Sequence, residues 1–159
     1  MDHDELAGEL EAMNGLIVGL VRPDGSPIAT RGWALRVEDR GRRVRLVLGS
    51  TVLAEAGHDD ASVIGTQIAV TGADIATLQS AQAKGAVLAV DAIDDEDRRR
   101  VEQYCESYFQ AVEEVDSVPR HLMERIVPSA FVACTFELAE CYDQTPGPDA
   151  GRAIEIVPG

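Results

Sequence analysis

The chain carries one lysine, Lys84; its other thirteen basic residues are arginines, and 14 Lys and Arg stand against 28 Asp and Glu. The resulting formal net charge of −14 sets up a field that repels polyanions, which argues against nucleic acid and anionic membrane as partners. A small phosphorylated ligand is a separate matter, because a local arginine fork can grip a phosphate whatever the sign of the whole surface. Cysteine is scarce too. Cys105, Cys134 and Cys141 are odd in number and lack C-x-x-C spacing, so they read as ordinary buried or half-buried thiols. His3, His58 and His121 are far apart, with no H-E-x-x-H, and no structural metal is expected. No run approaches the ~20 apolar residues of a membrane span. The opening Met1-Asp2-His3-Asp4-Glu5 is acidic where a signal peptide is basic, so the expected location is the cytoplasm. G-x-S-x-G, G-x-G-x-x-G and G-x-x-x-x-G-K-[ST] are all missing, which removes the common hydrolase and phosphate-loop signatures.

What is present is globular composition: 159 residues with 45% hydrophobic and 26% charged, enough for one domain with a proper core. Residues 1–142 are expected to form that domain. Residues 143–159, with Pro146-Gly147-Pro148 at their centre, read as an irregular tail.

Leu6, Leu10 and Met13 make one helical stripe over residues 4–14. Leu16 to Val21 is a β-rich run, and Arg22-Pro23-Asp24-Gly25-Ser26 supplies the Pro, Asp and Gly of a tight turn. A second strand runs from Pro27 to about Val37. After Glu38-Asp39-Arg40-Gly41 a third spans residues 43–48, its early alternation suggesting one solvated face. A short helix over 50–56, N-capped by Ser50 or Thr51, precedes a mobile acidic loop, Gly57-His58-Asp59-Asp60. Strands follow at 66–71 and around 86–90, the link 72–79 staying unassigned. Asp94-Asp95-Glu96 starts the longest helix, to about Val115, with Val101, Cys105, Tyr108, Phe109 and Val112 on one face. Pro119 opens another helical stretch with Leu122, Met123 and Ile126 as its apolar positions, Pro128 stops it, and residues 130–138 form a buried last strand. The fold class is mainly β with helices, an antiparallel sheet curled toward a barrel.

The strongest local pattern is an arginine-bearing second strand, Arg31-Gly32-Trp33-Ala34-Leu35-Arg36, between a P-D-G-S-P turn and a third strand ending Leu48-Gly49-Ser50-Thr51. With Ile68-Ala69-Val70-Thr71, Gln82-Ala83-Lys84-Gly85 and Asp143-Gln144-Thr145-Pro146, this resembles the pyridoxamine 5′-phosphate oxidase-like split barrels, a superfamily that binds flavin mononucleotide (FMN) or related flavins. The resemblance implies a split β-barrel, a homodimer, and a flavin phosphate held by Arg31 and Arg36 with the hydroxyls of Ser50 and Thr51. It further implies that the strand with Ser80, Gln82 and Lys84 approaches the flavin ring. Residues five apart on a regular strand face opposite ways, so Arg31 and Arg36 can share a phosphate only if a bulge near Gly32 resets the alternation.

The departures are equally plain. Oxidases of this superfamily carry a basic pair just after the third strand, where this chain has Val52-Leu53-Ala54-Glu55, and their W-x-R-L-x-R type ending has no counterpart here. Oxidation of pyridoxamine phosphate itself is therefore not expected. Two functional classes stay open: a flavin-binding oxidoreductase, its small-molecule substrate unspecified, and a non-catalytic binding protein on the same barrel, or one that takes haem or a deazaflavin. Trp33, the only tryptophan, is either core or a ring-stacking platform, and Lys84 is either an anion contact or an exposed lysine.

Overall fold

A computed structural model describes residues 3–155, with side chains from residue 5 onward. Met1 and Asp2, the side chains of His3 and Asp4, and residues 156–159 of the tail lie outside the described residues. Helix α1 (His3–Ala12) leads into β1 (Gly15–Val21), β2 (Pro27–Glu38) and β3 (Arg43–Gly49). The short α2 (Val52–Glu55) precedes β4 (Gln67–Ala73) and β5 (Ser80–Asp91). Then come α3 (Asp95–Asp116), α4 (Arg120–Met123) with a 3-10 turn at Glu124–Ile126, and β6 (Phe131–Asp143). The strands close into a barrel in the order β1-β2-β3-β6-β5-β4, every neighbouring pair antiparallel.

Local chemistry explains the joints. Asp24 accepts from the Ser26 N–H at 2.9 Å, Gly25 takes φ +85°, and the chain reverses from β1 into β2. Asp94 and Asp97 form a reciprocal capping box at the start of α3. Inside the barrel, Leu16, Val18, Leu20, Leu46, Leu48, Val70 and Phe136 are completely buried. Leu6 and Leu10 of α1 are buried as well, as their spacing requires.

Several expectations need correction. Strand β3 has no solvated face, because α3 lies across its outer side and Asp97 draws the Arg45 guanidinium under the helix. The Arg45 Nη2 to Asp97 Oδ2 distance is 2.8 Å, and Asp97 is 1% exposed. Alternation marks solvent only where nothing packs over the sheet. The 57–60 loop is pinned: His58 is buried, its Nε2 2.7 Å from the Val21 carbonyl and its Nδ1 3.3 Å from Ser62 Oγ. Thr51 does precede α2, but its hydroxyl donates to Glu55 and caps no backbone N–H. On α3 the buried stripe takes Tyr104 in preference to Cys105, which is half-buried. In α4 and the 3-10 turn after it, Leu122 and Ile126 are 44% and 46% exposed, and of the three apolar positions Met123 alone turns inward. The 72–79 link is a turn in which Asp74 accepts from Thr77.

Strands β5 and β6 run longer than their apolar cores, to twelve and thirteen residues. The tail folds back on them. Ile154 N donates to the Cys141 carbonyl at 2.8 Å, Asp143 N to that of Arg152 at 2.9 Å, and Gln144 N to that of Ser80 at 2.8 Å. No helix among the described residues is long and apolar enough to cross a membrane, and no three His, Cys, Asp or Glu side chains among them stand together as a metal site.

Candidate functional site

Strand β2 carries a bulge between Gly32 and Ala34, where Trp33 is the extra residue. A Cβ on Gly32 would come within 3.1 Å of Leu16 and Leu46, so this position points into the barrel and tolerates no side chain without adjustment. Arg31 therefore points outward, and the bulge returns Arg36 to that outer face, opposite Arg45 on β3. Trp33 tucks beneath α3, edge-on to Tyr104 and Phe131 with ring centroids 6.4 Å away in both cases. It is core, 3% exposed, and unavailable for stacking on a ligand.

The two arginines share a face but not a place. The Arg31 guanidinium lies 5.1 Å from the centre of the Tyr108 ring, midway along α3, and no carboxylate among the described residues pairs with it. Arg36 reaches the start of the same helix, 2.8 Å from Asp94 and 2.8 Å from Glu38. Asp94 and Tyr108 are separated by some 14 residues of helical rise, roughly 20 Å, far beyond the span of one phosphate. Arg36 is thus occupied holding β2 to α3.

Arg31 lies in an open groove of about 430 Å³ whose lining includes Ile17, Thr51, Val52, Ile126 and Pro128. It is the sole ionisable side chain lining this groove among the described residues. Ser50 is exposed next to Thr51, with its N–H given to the Ala130 carbonyl. Thr51 gives its hydroxyl proton to Glu55 at 2.7 Å. The structure accordingly brings Arg31 and Thr51 to one groove, whose lining does not include Ser50, and leaves Arg36 elsewhere.

The groove adjoins the outer face of β1, which β4 and β5 continue and which is partly exposed among the described residues. Strand register places Arg31, Ile17, Thr71, Gln82 and Tyr142 in one row across it, and Ala29, Gly19, Ala69, Lys84 and Glu140 in the next. Gln82 Nε2 donates to Thr71 Oγ1 at 2.8 Å. Lys84 Nζ sits 4.6 Å over the Tyr142 ring, and the Tyr142 hydroxyl donates to Glu140, which holds the phenol proton above its ordinary range. Ile17 is 49% exposed, and a Cβ on Gly19 would meet nothing, so the middle of this face is bare. Ser80 parts company with Gln82 and Lys84: it is buried under the tail, its N–H donated to Thr145 Oγ1, beside a second cleft with Asp143 and Arg152.

Sequence reasoning did not anticipate Tyr108 as the ring beneath Arg31, nor Pro128 and Ile126 as part of the groove lining. Tyr108 was visible as an apolar-stripe residue; its contact with β2 depends on how α3 crosses the barrel, for which a single sequence holds no signal.

Among solved structures, HupZ of Group A Streptococcus superposes over 93% of this chain and 98% of its own, at 13% identity and a TM-score of 0.51. A pyridoxamine 5′-phosphate oxidase-related, FMN binding protein of Nostoc punctiforme aligns over 96% of this chain and 93% of its own, at 14% identity and a TM-score of 0.45. The fold is the split barrel. An F420 reductase matches at 14% identity over 83% of this chain and 91% of its own, with a TM-score of 0.49. Split-barrel likeness at such identities concerns architecture, and there it meets the resemblance read from the sequence. No protein-family model and no curated protein matches the sequence.

Proposed function

We propose that this split barrel is a flavin-binding protein of the oxidoreductase type, acting as a cytoplasmic homodimer. The observation that carries the reading is Arg31: a half-buried guanidinium without a carboxylate partner among the described residues, on a chain of net charge −14, beside a hydroxyl and an apolar groove. Stacked on Tyr108, it is held in place and keeps donors free for an anion. The residues fit a flavin at that head group. Arg31 would take the anionic end, Ile17 and the bare Gly19 stretch would lie under the ring, and Gln82 and Lys84 would offer donors to its polar edge. A bound flavin would supply the electron transfer, and the chain would hold and orient it.

The partly exposed outer face of β1, β4 and β5 also supports a second copy as partner. β1 and β4 carry no charged residue, and on β5 Lys84 and the terminal Asp91 are the only ones, so two strongly acidic chains can meet there with the least repulsion.

The decisive experiment compares FMN with riboflavin on the full chain and on Arg31→Ala. Loss of FMN affinity by tenfold or more, with riboflavin little changed, is expected; equal losses would remove Arg31 from the site. A second reading, a non-catalytic binder or one taking a deazaflavin or haem, is favoured by one feature: the groove offers a single guanidinium where the oxidases bring more. The visible spectrum of the protein as purified separates these, since flavin, deazaflavin and haem absorb differently.

A further inference from the structure

We propose that the cavity between α1 and α3 binds a small neutral carbonyl compound with an apolar body of about one ring, its carbonyl oxygen accepting the proton of the Tyr104 hydroxyl. The site is separate from the flavin reading, since this cavity of about 190 Å³ shares no lining residue with the Arg31 groove. Leu10 and Met13 of α1, with Leu16 and Leu35 of the barrel, give it an apolar side. Arg100, Gln103, Tyr104 and Ser107, one face of α3 at helical spacing, give it a polar one.

Tyr104 is 8% exposed, and its oxygen accepts the Leu16 N–H at 2.9 Å while its own proton meets no acceptor among the described residues. Burial pushes that phenol up to about 12, so it stays a donor at neutral pH. A buried donor without a partner is costly, and an acceptor on a ligand relieves it. Charge excludes an ionic ligand. The two ionic groups of the lining, Glu11 and Arg100, pair with each other at 3.0 Å, and Glu11 spends its other oxygen on the Val37 N–H at 2.7 Å. A charged ligand therefore finds no uncompensated opposite charge there, a penalty that a neutral carbonyl escapes. Size narrows the class further, because a cavity of ~150 Å³ holds benzene and 190 Å³ takes one ring with a short substituent.

The test titrates the full chain with acetophenone, with ethylbenzene, which has the ring and no acceptor, and with benzoate, which carries a charge, each followed by ligand-observed NMR. Acetophenone should bind roughly fivefold more tightly than ethylbenzene, the worth of one hydrogen bond, and about tenfold or more tightly than benzoate. Tyr104→Phe keeps the ring and should bring acetophenone level with ethylbenzene. That change also strands the Leu16 N–H, so Ser107→Trp serves as a second variant: Ser107 is exposed at the cavity's edge, and an indole there should weaken all binding while the fold stays intact. Equal affinity of the native chain for acetophenone and ethylbenzene would overturn Tyr104 as the donor and the proposal with it. The proposal also falls if no compound of the series binds at millimolar concentration, water alone then answering the hydroxyl, or if binding survives Ser107→Trp, which places the ligand elsewhere. FMN titration judges the flavin reading separately.

Discussion

Replacing Asp97 with alanine would strand a guanidinium under α3. In the native chain the Asp97 carboxylate receives Arg45 Nε at 3.1 and 3.2 Å and Nη2 at 2.8 Å, and its Oδ2 also accepts the Asp94 N–H at 3.0 Å. Breaking a buried pair by removing one partner costs about 3–5 kcal/mol. The lower end applies here, because the Ala92 carbonyl at 3.2 Å and Asp91 at 3.4 Å still hold the guanidinium. Loss of half the capping box adds about 1 kcal/mol. The sum, about 4 kcal/mol, corresponds to a fall in Tm of roughly 8–16 °C for a chain of this size. Asp97→Asn keeps an acceptor for Asp94 and should lose about half as much. The double variant Arg45→Met, Asp97→Leu removes both charges and should recover most of the loss. Urea titration followed by circular dichroism measures all three. An Asp97→Ala protein within about 1 kcal/mol of the native chain, or a double variant as unstable as the single, would refute the account of α3 as clamped by this pair.

Gly85→Ala should abolish folding or remove most of the stability, since its Cβ would lie 1.6 Å from the Glu137 carbonyl oxygen; soluble yield and a melt check this. Trp33→Ala should lower stability by about 3–5 kcal/mol in the same titration, as expected for a large buried ring. Burial pushes the Tyr104 phenol up from 10.0 to about 12 and the Cys134 thiol up from 9.0 to about 12. The folded chain therefore keeps protons that the unfolded chain releases, so stability should be full below about pH 9 and decline up to about pH 12, which a series of alkaline melts would show. Removing residues 144–159 strips the hydrogen bonds to Cys141, Asp143 and Ser80, and should lower Tm by several degrees. Light scattering at micromolar concentration should report a dimer; a monomer would count against the partly exposed sheet face as an interface.

The strand order was legible where hydrophobic runs and turn residues agreed, as in Leu16–Val21 followed by Pro23-Asp24-Gly25. It faded where a strand outlasted its apolar core: Glu137 to Asp143 of β6 and Ser80 to Ala83 of β5 carry polar or small residues because a closed barrel satisfies their backbone through neighbours, whatever their side chains. The Gly32 bulge was posed only as the condition for Arg31 and Arg36 to share a phosphate; the bulge is there and the sharing is not. What Arg36 does there could not be read from spacing, since its carboxylate partners lie 58 residues away at Asp94 and two along at Glu38, and their convergence is a property of helix docking. Thr51 reads as a cap or a ligand hydroxyl until Glu55 is seen to hold it.

The extra residue at position 33 divides β2 into two segments that answer to different pressures. From Ala34 onward the strand is committed to α3, and changes there unsettle the whole barrel. From Pro27 to Arg31 only alternate residues, Pro27, Ala29 and Arg31, take the outer side, where a substitution alters what the protein grips, while Ile28 between them packs on the core. A lineage of such chains can therefore exchange ligands by editing the three outward residues at one end of a strand while the other end goes on doing the folding.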